Sequence, residues 1–117
     1  MQIMWLAGLL EGEGSFCLSK RTTPYVSLAM TDRDVVSKAA KIMDKIGGRS
    51  LNRHQHKLPS GKMVYQVQTT GMPAIKIMLR VQQYMGQRRT RTIRRIVSRW
   101  KPKIIPAVLA YHQSLIK

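Results

Sequence analysis

The chain has 117 residues, 44% of them hydrophobic, which suits one domain with a real core and is too little for a modular protein. Its 21 Lys and Arg against 5 Asp and Glu give a formal charge of +16, and residues 45–117 carry sixteen bases and no acid. Such a stretch repels itself unless it meets a polyanion, and strand-like segments make nucleic acid a better partner than a membrane surface.

In chain order, the apolar run Ile3 to Leu10 predicts a helix that ends in Glu11-Gly12-Glu13-Gly14. The run is far short of a membrane span, and it lacks the preceding base and the cleavage site of a secretory signal. With Cys17 the only cysteine, a disulfide framework is excluded, and a cytoplasmic or organellar, non-secreted location is expected. Gly12 and Gly14 are the stop signals of the helix, and both carboxylates fall at its negative end, so a cation is expected there. Gly8 and Gly12 share one helical face, with Ala7 beside them, and let a second backbone approach closely.

Ser15 to Arg21 alternates, with Phe16 and Leu18 inward and Ser15, Cys17, Ser19 and Arg21 outward. After a turn at Thr22, Thr23 and Pro24, Tyr25 to Thr31 completes a hairpin, with Val26, Leu28 and Met30 inward and Ser27 and Ala29 outward. Thr31-Asp32-Arg33-Asp34 predicts the N-cap of an amphipathic helix carrying Val35, Val36, Ala39, Ile42, Met43 and Ile46, closed by Gly47 and Gly48. A second hairpin runs from about Arg49 to Lys57 and Lys62 to Thr69 around Pro59-Ser60-Gly61. Leu51, Tyr65 and Val67 face inward, leaving Asn52, His54 and His56 on one outward row and Val64, Gln66 and Gln68 on the other. Pro73 opens a helix with Ile75, Met78, Leu79 and Met85 on its buried face and Gly86 at its end. Arg89 to Trp100 is the clearest helix, because Ile93, Ile96, Val97 and Trp100 form one stripe and arginines take the rest. Pro102 and Pro106 precede a last apolar helix, Ala107 to Ile116. The expected organisation is a single domain over 1–117, with a core unit at 1–103, a docking helix at 104–117 and no internal repeat.

Leu6 to Gly14, LAGLLEGEG, followed by Ser15 and Phe16, resembles the signature of the LAGLIDADG homing endonucleases. The order of elements over about residues 3–100 resembles that family's αββαββα unit, an α+β fold. One copy of the motif implies a C2 homodimer whose motif helices pack through Trp5, Ala7, Gly8, Leu9 and Gly12. The resemblance further implies that two four-stranded antiparallel sheets form a saddle over a near-palindromic duplex. Its activity would be site-specific, divalent-metal-dependent double-strand cleavage.

Under that resemblance Glu13, standing where aspartate is commoner, binds Mg2+, with Mn2+ as a substitute, together with the Gly12 carbonyl, phosphate oxygens and water. Arg88 takes the place of a basic residue, more usually lysine, that stabilises developing charge. Thr31 or Asp32 falls where a glutamine usually orders the water, and Asp32 also belongs to the helix start. Ser15, Cys17, Ser19, Arg21, Ser27, Asn52, His54, His56, Gln66 and Gln68 would read base edges, since Arg pairs with guanine and Asn or Gln with adenine. Arg89 and Arg91, within the Arg88 to Lys103 cluster, would contact phosphate. The bland alternative is a pair of solvated faces. Uncharged polar rows in so basic a chain, and a cationic face without acids, favour recognition over solubility. His54 and His56 project together, but Cys17 and His112 are too distant in sequence to complete a zinc site. Two other functions compete: a non-cleaving DNA- or RNA-binding regulator or intron maturase on the same fold, and a small ribosome-associated RNA-binding protein. Glu13 favours cleavage, since binding alone gains nothing from an acid aimed at phosphate.

Overall fold

Four amphipathic or apolar segments and two alternating hairpins become a helix-backed sheet. The computed structural model describes residues 2–20 and 22–100. Helix α1 (Gln2–Glu13) leads directly into strand β1 (Gly14–Ser19), and β2 (Thr23–Met30) returns antiparallel to it. Then follow α2 (Arg33–Gly47), β3 (Asn52–Lys57), β4 (Met63–Thr70), α3 (Met72–Val81), a short 3-10 turn (Gln82–Tyr84) and α4, residues 87–100. The strands form one antiparallel sheet in the order β1-β2-β4-β3, so the two hairpins join through their second strands. The α+β class and the αββαββ order are as expected. The expected helix at 107–116, with the break at Pro102 and Pro106, lies outside the described residues.

One face of the sheet is apolar and the helices cover it. Phe16, Val26, Leu28 and Val67 are buried there beneath Leu6 and Leu10 of α1, Met43 of α2, and Ile75 and Met78 of α3. Helix α3 sits at the centre, against α1, α2, β2 and β4. Contacts on so many sides bury Pro73, Ala74, Ile75, Ile77, Met78 and Val81. Each fully buried aliphatic chain of that size contributes about 1.5–3 kcal/mol relative to exposure. Ile93 and Ile96 of α4 join the same core, with Val97 and Trp100 half-buried beside them.

Asp32 is the N-cap of α2, its Oδ1 accepting from Val35 N at 3.1 Å, and Gly48 closes the helix with φ 79° and its N–H on Asp44 O. Several expectations need correction. The first turn is marked by Lys20, at φ 51°, and by Thr22, whose N–H bonds Ser19 O, so β2 begins at Thr23. Helix α3 ends at Val81 rather than at Gly86, because the chain tightens into the 3-10 turn. Leu79 is 44% exposed, while Ile77 and Val81 take the buried positions. Gly12 lies inside α1 and does not stop it. Gly14 marks the real end: a Cβ there would meet Leu10 O and Leu10 Cδ2 at 2.8 Å. Only glycine lets the strand leave the helix so abruptly.

Candidate nucleic-acid interface and carboxylate site

The face of the sheet away from the helices follows from the strand registers. Pairing of Ser15 with Ser27, Ser27 with Gln68 and Gln68 with Asn52 places a polar row across all four strands. Cys17, Tyr25 and Thr70 form the next row on one side, and Ala29, Gln66 and His54 the next on the other. Ser19 and His56 extend the face at its two ends. The expected reading positions Ser15, Cys17, Ser19, Ser27, Asn52, His54, His56, Gln66 and Gln68 therefore share one face. Arg21 lies outside the described residues.

Ser27 is on that face but only 9% exposed, because β2 is an inner strand with Ser15 and Gln68 on either side. Sequence reasoning passed over Tyr25 and Thr70, although strict alternation back from Ser27 puts Tyr25 outward. The described strands contribute no Lys or Arg to this face. Arg53 and Lys57 have the opposite parity on β3, and Arg53 pairs with Asp44 at 2.8 Å.

Positive charge is carried beside the sheet. On α4, Arg88, Arg91, Arg94, Arg95 and Arg99 are exposed. Arg89, expected at phosphate, is turned inward instead. Its side chain is 14% exposed, its Nε donates to Glu11 O at 3.3 Å, and its guanidinium lies 5.6 Å from the Phe16 ring centroid.

The two acids of the motif have different fates. Glu11 faces α4: its Oε1 accepts from Gly86 N at 2.9 Å, and its Oε2 lies 3.7 Å from Arg89 Nε. A Cβ on Gly86 would stand 2.7 Å from Glu11 Oε1, so glycine at 86 is what allows the approach. Two residues on, about 200° around the helix, Glu13 is exposed and makes no side-chain hydrogen bond or ion pair among the described residues. It ends a helix with no basic residue in its last turn, so the helix-end carbonyls add to its negative field. Asp32, by contrast, is committed through Oδ1 to capping α2.

The outer surface of α1 carries Met4, which is 56% exposed, with Gly8 and Gly12 open beside half-buried Trp5 and Leu9. A Cβ on either glycine would meet nothing within 4 Å. Ala7 does not belong to this surface: it is buried in the chain's own core, 100° from Gly8. Trp5 is steadied by Lys38 of α2, whose Nζ lies 4.2 Å from the ring centroid.

Among the described residues no three His, Cys, Asp or Glu side chains cluster as a metal site would require. A one-carboxylate donor set nevertheless fits a hard divalent cation of the Mg2+ kind, which keeps several waters and takes phosphate oxygens to complete its shell. The exposed Glu13 carboxylate and the exposed backbone at Gly12 are the groups that could hold it.

A family model for a LAGLIDADG-like domain matches residues 1–101. Among solved structures, the chain is similar to homing endonuclease I-CvuI in complex with its target Sro1.3 in the presence of 2 mM Ca. That likeness has 15% identity and a TM-score of 0.50, over 92% of this chain and 73% of that one. A second I-CvuI complex, with the I-CreI target C1221 in 2 mM Mg and the DNA not cleaved, aligns at 13% identity and TM-score 0.44, covering 89% and 73%. At 15% identity the first likeness is one of fold. No curated protein matches the chain, and no helix among the described residues is long and apolar enough to cross a membrane.

Proposed function

Because this chain belongs to the LAGLIDADG family, we propose that it is a site-specific, divalent-metal-dependent DNA endonuclease of the homing type. It acts as a homodimer on a near-palindromic duplex. The observation that carries the proposal is the division of labour between the two motif acids. Glu11 is spent on Gly86 and Arg89, whereas Glu13 stands free at the negative end of α1. A carboxylate left exposed in a chain of charge +16, beside no base of its own helix turn, suits a cation that phosphate will share.

In the proposed dimer the Met4, Trp5, Gly8, Leu9 and Gly12 surfaces of two α1 helices meet, bringing one Glu13 from each chain to the seam. Glu13 and the Gly12 carbonyl would hold the ion, Mg2+ or in its place Mn2+. The chemistry supplied there would be polarisation of the scissile phosphate and a lowered pKa for an attacking water. Arg88, in the first turn of α4, is exposed next in sequence to Arg89, which is tied to the end of α1. By resemblance to the family's basic residue, it supplies positive charge for the phosphate in the transition state. Asp32, whose Oδ1 is held by its capping bond, would orient the water chiefly through Oδ2. Arg91, Arg95 and Arg99 neutralise flanking phosphates, and the uncharged sheet face reads base edges.

A second reading, a non-cleaving DNA- or RNA-binding regulator or intron maturase, is favoured by one observation: Asp32 is already used as a helix cap. Cleavage of a randomised duplex library in Mg2+, beside the Glu13→Gln protein, separates the two. Discrete double-strand cuts at a near-palindrome that vanish in the variant are expected. Selective binding by both proteins without cuts would replace the nuclease with the regulator.

A further inference from the structure

The exposed sheet face holds one connected side-chain cluster. Tyr25 on β2 donates its hydroxyl hydrogen to Gln68 Oε1 at 2.6 Å, and Gln66 Nε2 approaches the same oxygen at 3.4 Å from along β4. On the other side of the amide, Gln68 Nε2 lies 3.4 Å from His54 Nε2 on β3. The register explains the convergence. Gln68 sits opposite Ser27 and Asn52, so Tyr25, opposite Thr70, and His54, opposite Gln66, are its diagonal neighbours. Diagonal positions are within reach of an aromatic ring and of long side chains.

A glutamine amide has one acceptor oxygen and two N–H donors. With the oxygen turned to Tyr25 and Gln66, and one N–H directed at His54 Nε2, the group left to face a ligand is the second N–H. A free glutamine reads adenine in two directions, accepting from N6 and donating to N7. The oriented one has lost its acceptor.

We propose that Tyr25 is a positioning residue for base recognition, holding Gln68 as a hydrogen-bond donor so that this position loses the two-bond contact that favours adenine and takes the acceptor edge of guanine or thymine over cytosine. The inference rests on the reading of the sheet face as a DNA-recognition surface and adds to it which chemical edge its central glutamine takes. Tyr25 acts through Gln68 and need not touch a base.

The test is a binding selection from a randomised duplex library in Ca2+, with sequencing of the bound fraction, for the wild-type chain and for Tyr25→Phe, Gln68→Ala and Gln68→Glu. The wild type should enrich guanine or thymine at one position in each half-site, and Gln68→Ala should flatten that position alone. Tyr25→Phe frees the amide to turn, and should raise adenine at the same position about fivefold or more, the range of one recognition contact. In Gln68→Glu the tyrosine still occupies one oxygen while the other accepts, so the preference should swing toward cytosine, which offers its N4 donor. An unchanged profile in Tyr25→Phe beside a changed one in Gln68→Ala overturns the proposal, as does a Tyr25→Phe effect at a different position, which would make Tyr25 a reader itself. Should Tyr25→Phe fold poorly by its melting curve, the wild-type profile decides: adenine enriched at the position that Gln68→Ala flattens overturns the inference, because that is the two-bond contact of an unoriented glutamine. A wild type without base preference would remove the recognition surface and this inference with it, a result distinct from the others.

Discussion

Glu11 and Gly86 are 75 positions apart in sequence, and the bond between them ties the end of α1 to the start of α4. A double-mutant cycle on this pair measures the tie. A hydrogen bond from a backbone N–H to a charged group contributes about 1.5–3 kcal/mol. Glu11 is 38% exposed, so water competes and a contribution of about 1 kcal/mol is the better expectation. The Arg89 contact at 3.7 Å is too long for a hydrogen bond to Oε2, an oxygen shielded from solvent, so it adds little to the tie. Gly86→Ala would drive a Cβ to 2.7 Å from Glu11 Oε1, displacing a flexible side-chain end, and so costs about the same bond. Glu11→Ala costs more, about 2 kcal/mol, because it also leaves Arg89 largely buried with only Glu11 O and the Phe16 ring for company. The double variant should resemble Glu11→Ala alone, giving a coupling of about 1 kcal/mol. Urea unfolding at one fixed protomer concentration, with unchanged m-values, is the assay, since association would otherwise shift the midpoint. Costs that add to within about 0.3 kcal/mol would refute the tie.

Three further outcomes follow from the same geometry. Gly14→Ala places a Cβ 2.8 Å from backbone that cannot swing aside, and should destabilise by about 1–3 kcal/mol in the same unfolding assay while moving Glu13. Arg95→Ala should leave stability nearly unchanged but lower the slope of log affinity against log salt by about one, whereas Arg89→Ala should do the reverse, weakening the fold with little change in slope. Mg2+ or Ca2+ should raise the melting temperature of the wild type by linkage and leave Glu13→Gln unmoved, and equal shifts in both would place the ion elsewhere.

Where neighbouring residues face opposite ways, the sequence was readable. Both hairpins alternate cleanly enough that the outward rows survive into the structure, with Asn52, Gln68, Ser27 and Ser15 aligned across four strands. Helix α3 was not so readable. Ile75, Ile77, Met78, Leu79 and Val81 wrap most of its circumference, so periodicity cannot choose among them. Contacts with α1, α2, β2 and β4 decide that Ile77 goes in and Leu79 out. The motif acids posed a similar difficulty. Glu11 and Glu13 have the same chemistry and the same glycine neighbour, and only the arrival of Gly86 and Arg89 from the far end of the chain distinguishes them. The cluster of arginines at 88–99 announced a cationic face but not that Arg89 would turn away from it. The i, i+4, i+7 relation of Arg89 to Ile93 and Ile96 carries that signal, since it places Arg89 on the buried stripe.

The proposed dimer assigns one Glu13 from each of two chains to one DNA strand each. It is tested most directly by linking two copies in one polypeptide, with Glu13→Gln in one half only, and resolving nicked from doubly cut supercoiled plasmid carrying the selected site in Mg2+. The linked wild type should make double-strand breaks, and the half-variant should accumulate nicked circles with one strand intact. Full double-strand cleavage by the half-variant, or by a linked protein with both glutamates replaced, would contradict it.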